Sequence, residues 1–184
     1  LEVVIMPFVF PLPGWRFASI GSKFGMRMHP VYRKMMGHNG IDYGKPKGTP
    51  LRASDDGRVT LAAWSDRGGN QVRIDYPRLG YTFGYAHLDK THVKRGDVVK
   101  AGETFGTVGN TGVSTGPHLH LTIREYGGGK AMDPIPILRS LSSRLPVRGG
   151  IGQRKGAGGK VMLATMGGLG LLGLGLLVVL LNRR

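Results

Sequence analysis

From about residue 15 to residue 139 the chain is built of short apolar runs that alternate or are rich in β-branched residues. Gly57–Trp64 (GRVTLAAW), Gln71–Tyr76 (QVRIDY), Tyr81–His87 (YTFGYAH), Thr104–Val108 and Leu119–Arg124 are the clearest. A period of two places neighbouring side chains on opposite faces of a strand. Gly, Asp, Asn and Pro punctuate the runs, as turn chemistry requires. No window of this region carries a long 3.6-residue apolar period. Turns recurring at this spacing predict an all-β domain of antiparallel sheets, a sandwich or a barrel.

The flanks read differently. Residues 1–14 (LEVVIMPFVFPLPG) are apolar with three prolines. They lack a basic leading region and a small-residue cleavage site, so the expectation is an extended arm packed on the domain and not a signal peptide. Residues 140–160 (SLSSRLPVRGGIGQRKGAGGK) are rich in Gly, Ser and basic residues and predict a linker. Val161–Leu181 (VMLATMGGLGLLGLGLLVVLL) is uncharged throughout. As a helix it would extend roughly 31 Å, against about 30 Å for the hydrocarbon core of a bilayer. A buried soluble helix of this length would carry a polar face, so a transmembrane helix is expected here. Residues 182–184 form a basic tail.

Charge and composition narrow the chemistry. The chain has 26 Lys and Arg against 11 Asp and Glu, a formal net charge of +15. Such a balance favours anionic partners: nucleic acid, acidic lipid or a wall polymer. Cysteine is absent. Disulfides, thiolate metal sites and cysteine nucleophiles are thereby excluded. Any metal must be held by His, Asp or Glu.

The histidines supply candidates. His38 and Asp42 lie in HNGIDYG. On a straight strand they would stand roughly 13 Å apart. Asn39-Gly40 is a turn signal, and a tight bend there brings the two side chains together. His118 and His120 flank Leu119 in GPHLHLTI. On a strand they share a face, roughly 6.6 Å apart, with Leu119 on the other. His87 ends the expected strand GYAHL. Each group alone has an ordinary structural reading; the five together, all beside turns, do not.

Order and spacing then become specific. His-x-x-x-Asp, followed by Tyr-x-His-Leu and by His-x-His, resembles the lysostaphin/LytM-type zinc metallopeptidases, which are peptidoglycan endopeptidases. The flanking text FGMRMHPVYRKMMGHNGIDYGKPKGTPLRASDDGRV and VKRGDVVKAGETFGTVGNTGVSTGPHLHLTI extends the resemblance over about residues 20–135. The resemblance implies one zinc ion held by His38, Asp42 and His120, with His87 and His118 as catalytic histidines. It implies a narrow groove in a β-sandwich of hammerhead-like hairpins, a duplicated hybrid motif, with Val98–Gly106 as one hairpin. His29, Asn70 and Tyr85 are expected at the substrate, which would be peptide stems or cross-bridges of peptidoglycan. Two departures stand out: Leu121-Thr122 follow the His-x-His pair where relatives often carry an acid, and the strand ending Ile74-Asp75-Tyr76 lacks a histidine often found there. Trp15 and Trp64 are expected in the core.

Three N/O ligands and an open fourth position suit zinc, which brings bound water to a pKa of about 7. With no Glu of a His-Glu-x-x-His helix available, the proton must pass through a histidine. His118 is expected as base, with His87 orienting water or stabilising the oxyanion, or the two in exchanged roles. Two other readings compete: a non-catalytic wall-binding or regulatory module of the same fold, and a lipoyl- or biotinyl-like carrier. The carrier reading lacks its modified lysine. The basic linker could also meet nucleic acid or anionic lipid alongside the enzyme reading.

Arg148, Arg154, Lys155 and Lys160 precede the apolar stretch, while Arg183 and Arg184 follow it. The positive-inside rule then sets the domain on the cytoplasmic side, away from the wall. A phage protein made in the host, held at the host membrane or in the virion, and meeting the wall during infection or lysis, resolves the conflict. A bacterial envelope protein that defies the charge bias is the alternative. The full chain is expected to sediment with membranes and resist carbonate, and to become soluble when cut after residue 145. Protease acting from outside the cell is expected to spare the domain; digestion from outside would overturn the orientation.

Overall fold

The computed structural model describes residues 8–143. The apolar stretch 161–181 and the basic segment before it lie outside these residues. Among the described residues no helix is long and apolar enough to cross a membrane.

Twelve strands and one α-helix follow in order. They are β1 (Ile20–Ser22), β2 (Gly25–Met28), β3 (Met35–His38), β4 (Ile41–Gly44), β5 (Pro50–Arg52), β6 (Gly57–Ser65), β7 (Gly69–Tyr76), β8 (Tyr81–Thr91), β9 (Val98–Val99), β10 (Thr104–Val108), β11 (His118–Glu125), β12 (Gly128–Met132) and α1 (Pro134–Ser143). Ten strands join in one antiparallel sheet with the path β1-β4-β11-β8-β7-β6-β9. β12 adds to β11, and β5 joins through β10 to β8. β2 and β3 form a separate hairpin.

Alternation explains where the core lies. Val72, Ile74 and Tyr76 of β7, Phe83 and Tyr85 of β8, and Leu119, Leu121 and Ile123 of β11 are all buried on one face. Their neighbours in sequence turn to the other face, where the site is built. Phe8 and Leu12 add to the core from the N-terminal side. Two backbone bonds fasten that segment: Val9 N–H donates to the Ser54 carbonyl, and Arg52 N–H donates to the Pro11 carbonyl, each at 2.9 Å. Trp15 stacks against Phe10 and Tyr43 at ring separations of 5.3 and 4.6 Å.

Three local expectations need correction. Val98–Gly106 reverses direction, but its arms do not pair with each other. β9 bonds to β6, while β10 bonds to β5 and β8. The long-range partners offered more hydrogen bonds than a two-residue arm could. Trp64 is 58% exposed, because it stands on the outer face near the end of β6. Finally, the expected domain boundary at 139 falls inside α1. Asp133 caps that helix by accepting the Ile135 N–H at 3.0 Å, and Pro134 fits the first turn, where no N–H is needed. Leu138 and Leu141 are the helix's core contacts. Ten residues are too few to display a period in sequence.

Leu141 is 2% exposed. Leu141→Ala is expected to cost about 2–5 kcal/mol, read by urea denaturation of a fragment ending at 143. A change within error would remove α1 from the domain's stable core.

Candidate active site

The site forms because β4 lies beside β11, with Asp42 opposite His120 and Gly44 opposite His118. The bend at Asn39-Gly40 returns the chain from β3 into β4 and brings His38 alongside. Gly40 is needed for this approach. A Cβ there would collide with the Leu121 carbonyl oxygen and touch His120 Cε1 at 3.0 Å. On the far side of β11, His120 lies opposite Ala86 of β8.

His38, Asp42 and His120 offer ligand atoms that all lie within 4.8 Å of one another. Hydrogen bonds fix which atoms face inward. His38 Nδ1–H donates to the Lys23 carbonyl at 2.7 Å, which leaves a lone pair on Nε2. His120 Nε2–H donates to Asn39 Oδ1 at 3.0 Å, which leaves a lone pair on Nδ1. These two nitrogens stand 3.1 Å apart. Asp42 Oδ1 stands 3.1 Å from the first and 2.8 Å from the second. Three acceptors thus converge on one point with no hydrogen left among them. Burial pushes the Asp42 carboxyl up, but the imidazoles of His120 and then His38 packed against it outweigh this and hold the group well below the usual carboxylate range. Asp42 is therefore ionised. Burial also pushes the His120 imidazole down, away from the protonated form that would ease the crowding. A divalent cation satisfies all three acceptors at once, and a His₂Asp donor set suits zinc.

Two more imidazoles face this point. His118 Nδ1–H donates to the Gly116 carbonyl at 2.8 Å, so its Nε2 carries the lone pair; that atom is 3.7 Å from Asp42 Oδ1. His87 Nδ1–H donates to the Thr111 carbonyl at 2.8 Å, again leaving Nε2 free. The two rings are 4.8 Å apart. Burial pushes the His87 pKa down to about 4, with the Thr111 bond opposing it, so the ring is neutral at pH 7.

His87 arrives by an irregularity in β8. Inward positions run Phe83, Tyr85 and then Leu88, so the alternation slips by one residue at His87. Up to Ala86 the strand pairs with β11, and from Leu88 it pairs with β10. His87 takes φ = 62°, a left-handed conformation unusual for a residue with a side chain. Without the slip its ring would enter the core. Instead it faces the groove.

The groove has a volume of about 720 Å³, and the β2–β3 hairpin and the loop 113–117 both line it. His29 lines it as well; its Nδ1 accepts the N–H groups of Val31 and Tyr32, each at 3.2 Å. Of the other two expected substrate contacts, Tyr85 is among the groove-lining residues and Asn70 is not. Tyr85 is 1% exposed, and its hydroxyl lies 3.0 Å from that of Tyr76, so the side chain belongs to the core. Position 85 falls on the inward phase of β8, so its ring turns from the groove. Asn70 donates its amide to the carbonyls of Leu88 and Asp89 and braces the strand next to His87. Arg27 was not singled out from sequence. Its Nη2 donates to Asp42 Oδ2 at 3.1 Å, the oxygen turned away from the two imidazoles. Fifteen residues of separation leave no spacing signal for such a pair. Asn39, read only as a turn residue, orients His120.

Similarity to known proteins runs through the same residues. The model of Peptidase family M23 matches residues 36–134. The DD-carboxypeptidase/endopeptidase Mpg of Neisseria meningitidis is 42% identical over 121 residues, covering 66% of this chain and 27% of Mpg. The peptidoglycan DD-endopeptidase ShyC of Vibrio cholerae is 43% identical over 105 residues, covering 56% of this chain and 24% of ShyC. The chain therefore spans about a quarter of the length of these relatives. The crystallised catalytic domain of the antimicrobial peptidase lysostaphin from Staphylococcus simulans superposes with a TM-score of 0.58 at 37% identity, covering 65% of this chain and 90% of that domain. With the family's pattern matched across more than half its length, and the fold shared with one of its catalytic domains, the chain belongs to peptidase family M23, a family of zinc metallopeptidases.

Proposed function

We propose that this chain is a zinc metalloendopeptidase that hydrolyses peptide stems or cross-bridges of bacterial peptidoglycan. The observation that carries this reading is the convergence of three lone pairs, with two further imidazole nitrogens free beside them on one wall of a peptide-sized groove. Membership of the M23 family, and relatives named for peptidoglycan endopeptidase activity, support it.

In this reading His38 Nε2, Asp42 Oδ1 and His120 Nδ1 hold the ion. When bound, zinc supplies Lewis acidity to water and to a peptide carbonyl. The chain's own residues do the rest. The Gly116 carbonyl anchors His118 through Nδ1, so its Nε2 can accept a proton at the site and return it to the leaving amine. The Thr111 carbonyl anchors His87 in the same sense, and its low pKa keeps it neutral to orient water or, once protonated, to donate to the developing oxyanion. Arg27 fixes the Asp42 carboxylate from its outer oxygen, a support of the kind that orients metal ligands generally. The stretch 161–181 supports a membrane-tethered enzyme, at a host membrane or in a virion if phage-encoded, and otherwise in the bacterial envelope.

Two measurements test the assignment. Elemental analysis of the purified fragment is expected to give close to one zinc per chain, and the Asp42→Ala protein is expected to lose most of it while keeping its circular dichroism. Zinc fully retained by that variant would reject the ligand set. His118→Ala and His87→Asn are each expected to keep zinc and to lose hydrolysis of purified sacculi by about 10²–10⁴-fold. Asn is chosen at 87 because it tolerates left-handed φ. An active His118 variant would remove that residue as base.

A further inference from the structure

The groove floor carries an unexplained set of charges. Arg27, Arg67, Arg73 and Arg124 line it, and Asp42 is the single carboxylate among the lining residues. Arg27 is paired with Asp42. Arg73 and Arg124 form no ion pair among the described residues.

Their placement follows from register. Arg73 of β7 lies opposite Gly84 of β8, and Gly84 lies opposite Thr122 of β11. Paired residues share a face, so Arg73, Gly84, Thr122 and, two residues on, Arg124 all stand on the face that bears His118 and His120. Gly84 has no side chain, and the Thr122 hydroxyl takes up the space beside it, donating to the Gly84 carbonyl at 3.4 Å. A Cβ there would clash with Thr122 Oγ1 at 2.6 Å and come to 3.8 Å from Arg124 Nη1. Arg124 Nη1 donates to Thr122 Oγ1 at 3.0 Å, which holds the guanidinium beside Gly84. Asp75 is the acid on the same face. It accepts the Thr82 hydroxyl at 2.7 Å and pairs neither arginine.

Two half-buried guanidinium groups on neighbouring rows of one sheet face, with no ion-pair partner among the described residues, repel. Burial, and then the charge of Arg73, push the Arg124 pKa below its ordinary value. An arrangement of this kind is relieved by an anion, and a guanidinium presents paired N–H donors suited to a carboxylate.

We propose that Arg73 and Arg124 form a subsite for a carboxylate of the substrate peptide. Thr122 and Arg124 are two and four residues beyond His120, so this carboxylate sits roughly 7–13 Å along the groove from the bond that is cut. The proposal rests on the peptidase reading and makes it narrower. The preferred substrate is an acidic peptide with a free carboxylate at that position, as opposed to an uncharged bridge.

The test uses cross-linked stem peptides released from sacculi, together with the same peptides after their carboxylates have been converted to amides. For the zinc-loaded protein, amidation is expected to lower kcat/KM by about tenfold or more, as loss of a charge-assisted pair would. In the Arg73→Gln/Arg124→Gln protein the ratio between the two substrates is expected to fall to near unity, with zinc content unchanged and a melting temperature no lower than that of the unaltered protein. Charge reversal in Arg124→Glu is expected to favour the amidated form. Equal hydrolysis of both forms by the unaltered protein would overturn the subsite while leaving the peptidase reading intact. So would a preference for the free acid that survives the double substitution. Failure of the zinc-loaded protein to cleave either form would instead count against the peptidase reading, and the subsite would fall with it.

Discussion

Everything at this site depends on the register of β4 against β11. With Asp42 opposite His120, a carboxylate and an imidazole are forced onto one row of the sheet. A shift of one residue would send every side chain of β11 to the other face. Leu119, Leu121 and Ile123 would then meet solvent and the histidines would enter the core. Burial of those three residues therefore holds the site as well as the fold, because the period of two ties the chemistry on one face to packing on the other. Gly40 completes the constraint, since the bend that delivers His38 must pass directly over the backbone of β11.

The polar surroundings make the convergence specific. Each of the four inward imidazoles at the site spends one nitrogen on a fixed acceptor: the carbonyls of Lys23, Thr111 and Gly116, and the side chain of Asn39. Spending one nitrogen determines the other. The protein thus sets four tautomers by its backbone and one amide, and every remaining lone pair points to the same region. In a sheet interior such unmet acceptors would be costly. Here they gather where the groove opens, and Arg27 neutralises the outward half of Asp42.

Much of this could be read from residues alone. Strands β6, β7, β8, β10 and β11 follow from alternation and turn signals. The facing of His118 and His120 follows from a spacing of two, and the bend between His38 and Asp42 from Asn-Gly. What could not be read has physical reasons. The partners of β9 and β10 are set by contacts distant in sequence, which no local pattern encodes. Helix α1 is shorter than three turns, and only Asp133 before it and Pro134 at its first position mark its start. Tyr85 sits next to functional positions in sequence but on the inward phase of its strand. The arginines of the groove are scattered over β2, the turn between β6 and β7, β7 and β11, and come to one groove only through strand pairing.

The slip in β8 has a cost that runs against the usual direction of selection for robustness. Deleting the irregular residue would restore a continuous alternation of Phe83, Tyr85 and the leucine after it. It would also relieve a left-handed backbone conformation of the kind that costs of order 1–3 kcal/mol, although the neighbours β10 and β11 would no longer both be served. Such a strand would be more regular and would carry no second free imidazole. Stability and chemistry thus compete at a single position, and screens for hardier variants of this domain would drift toward losing His87 unless activity is selected alongside.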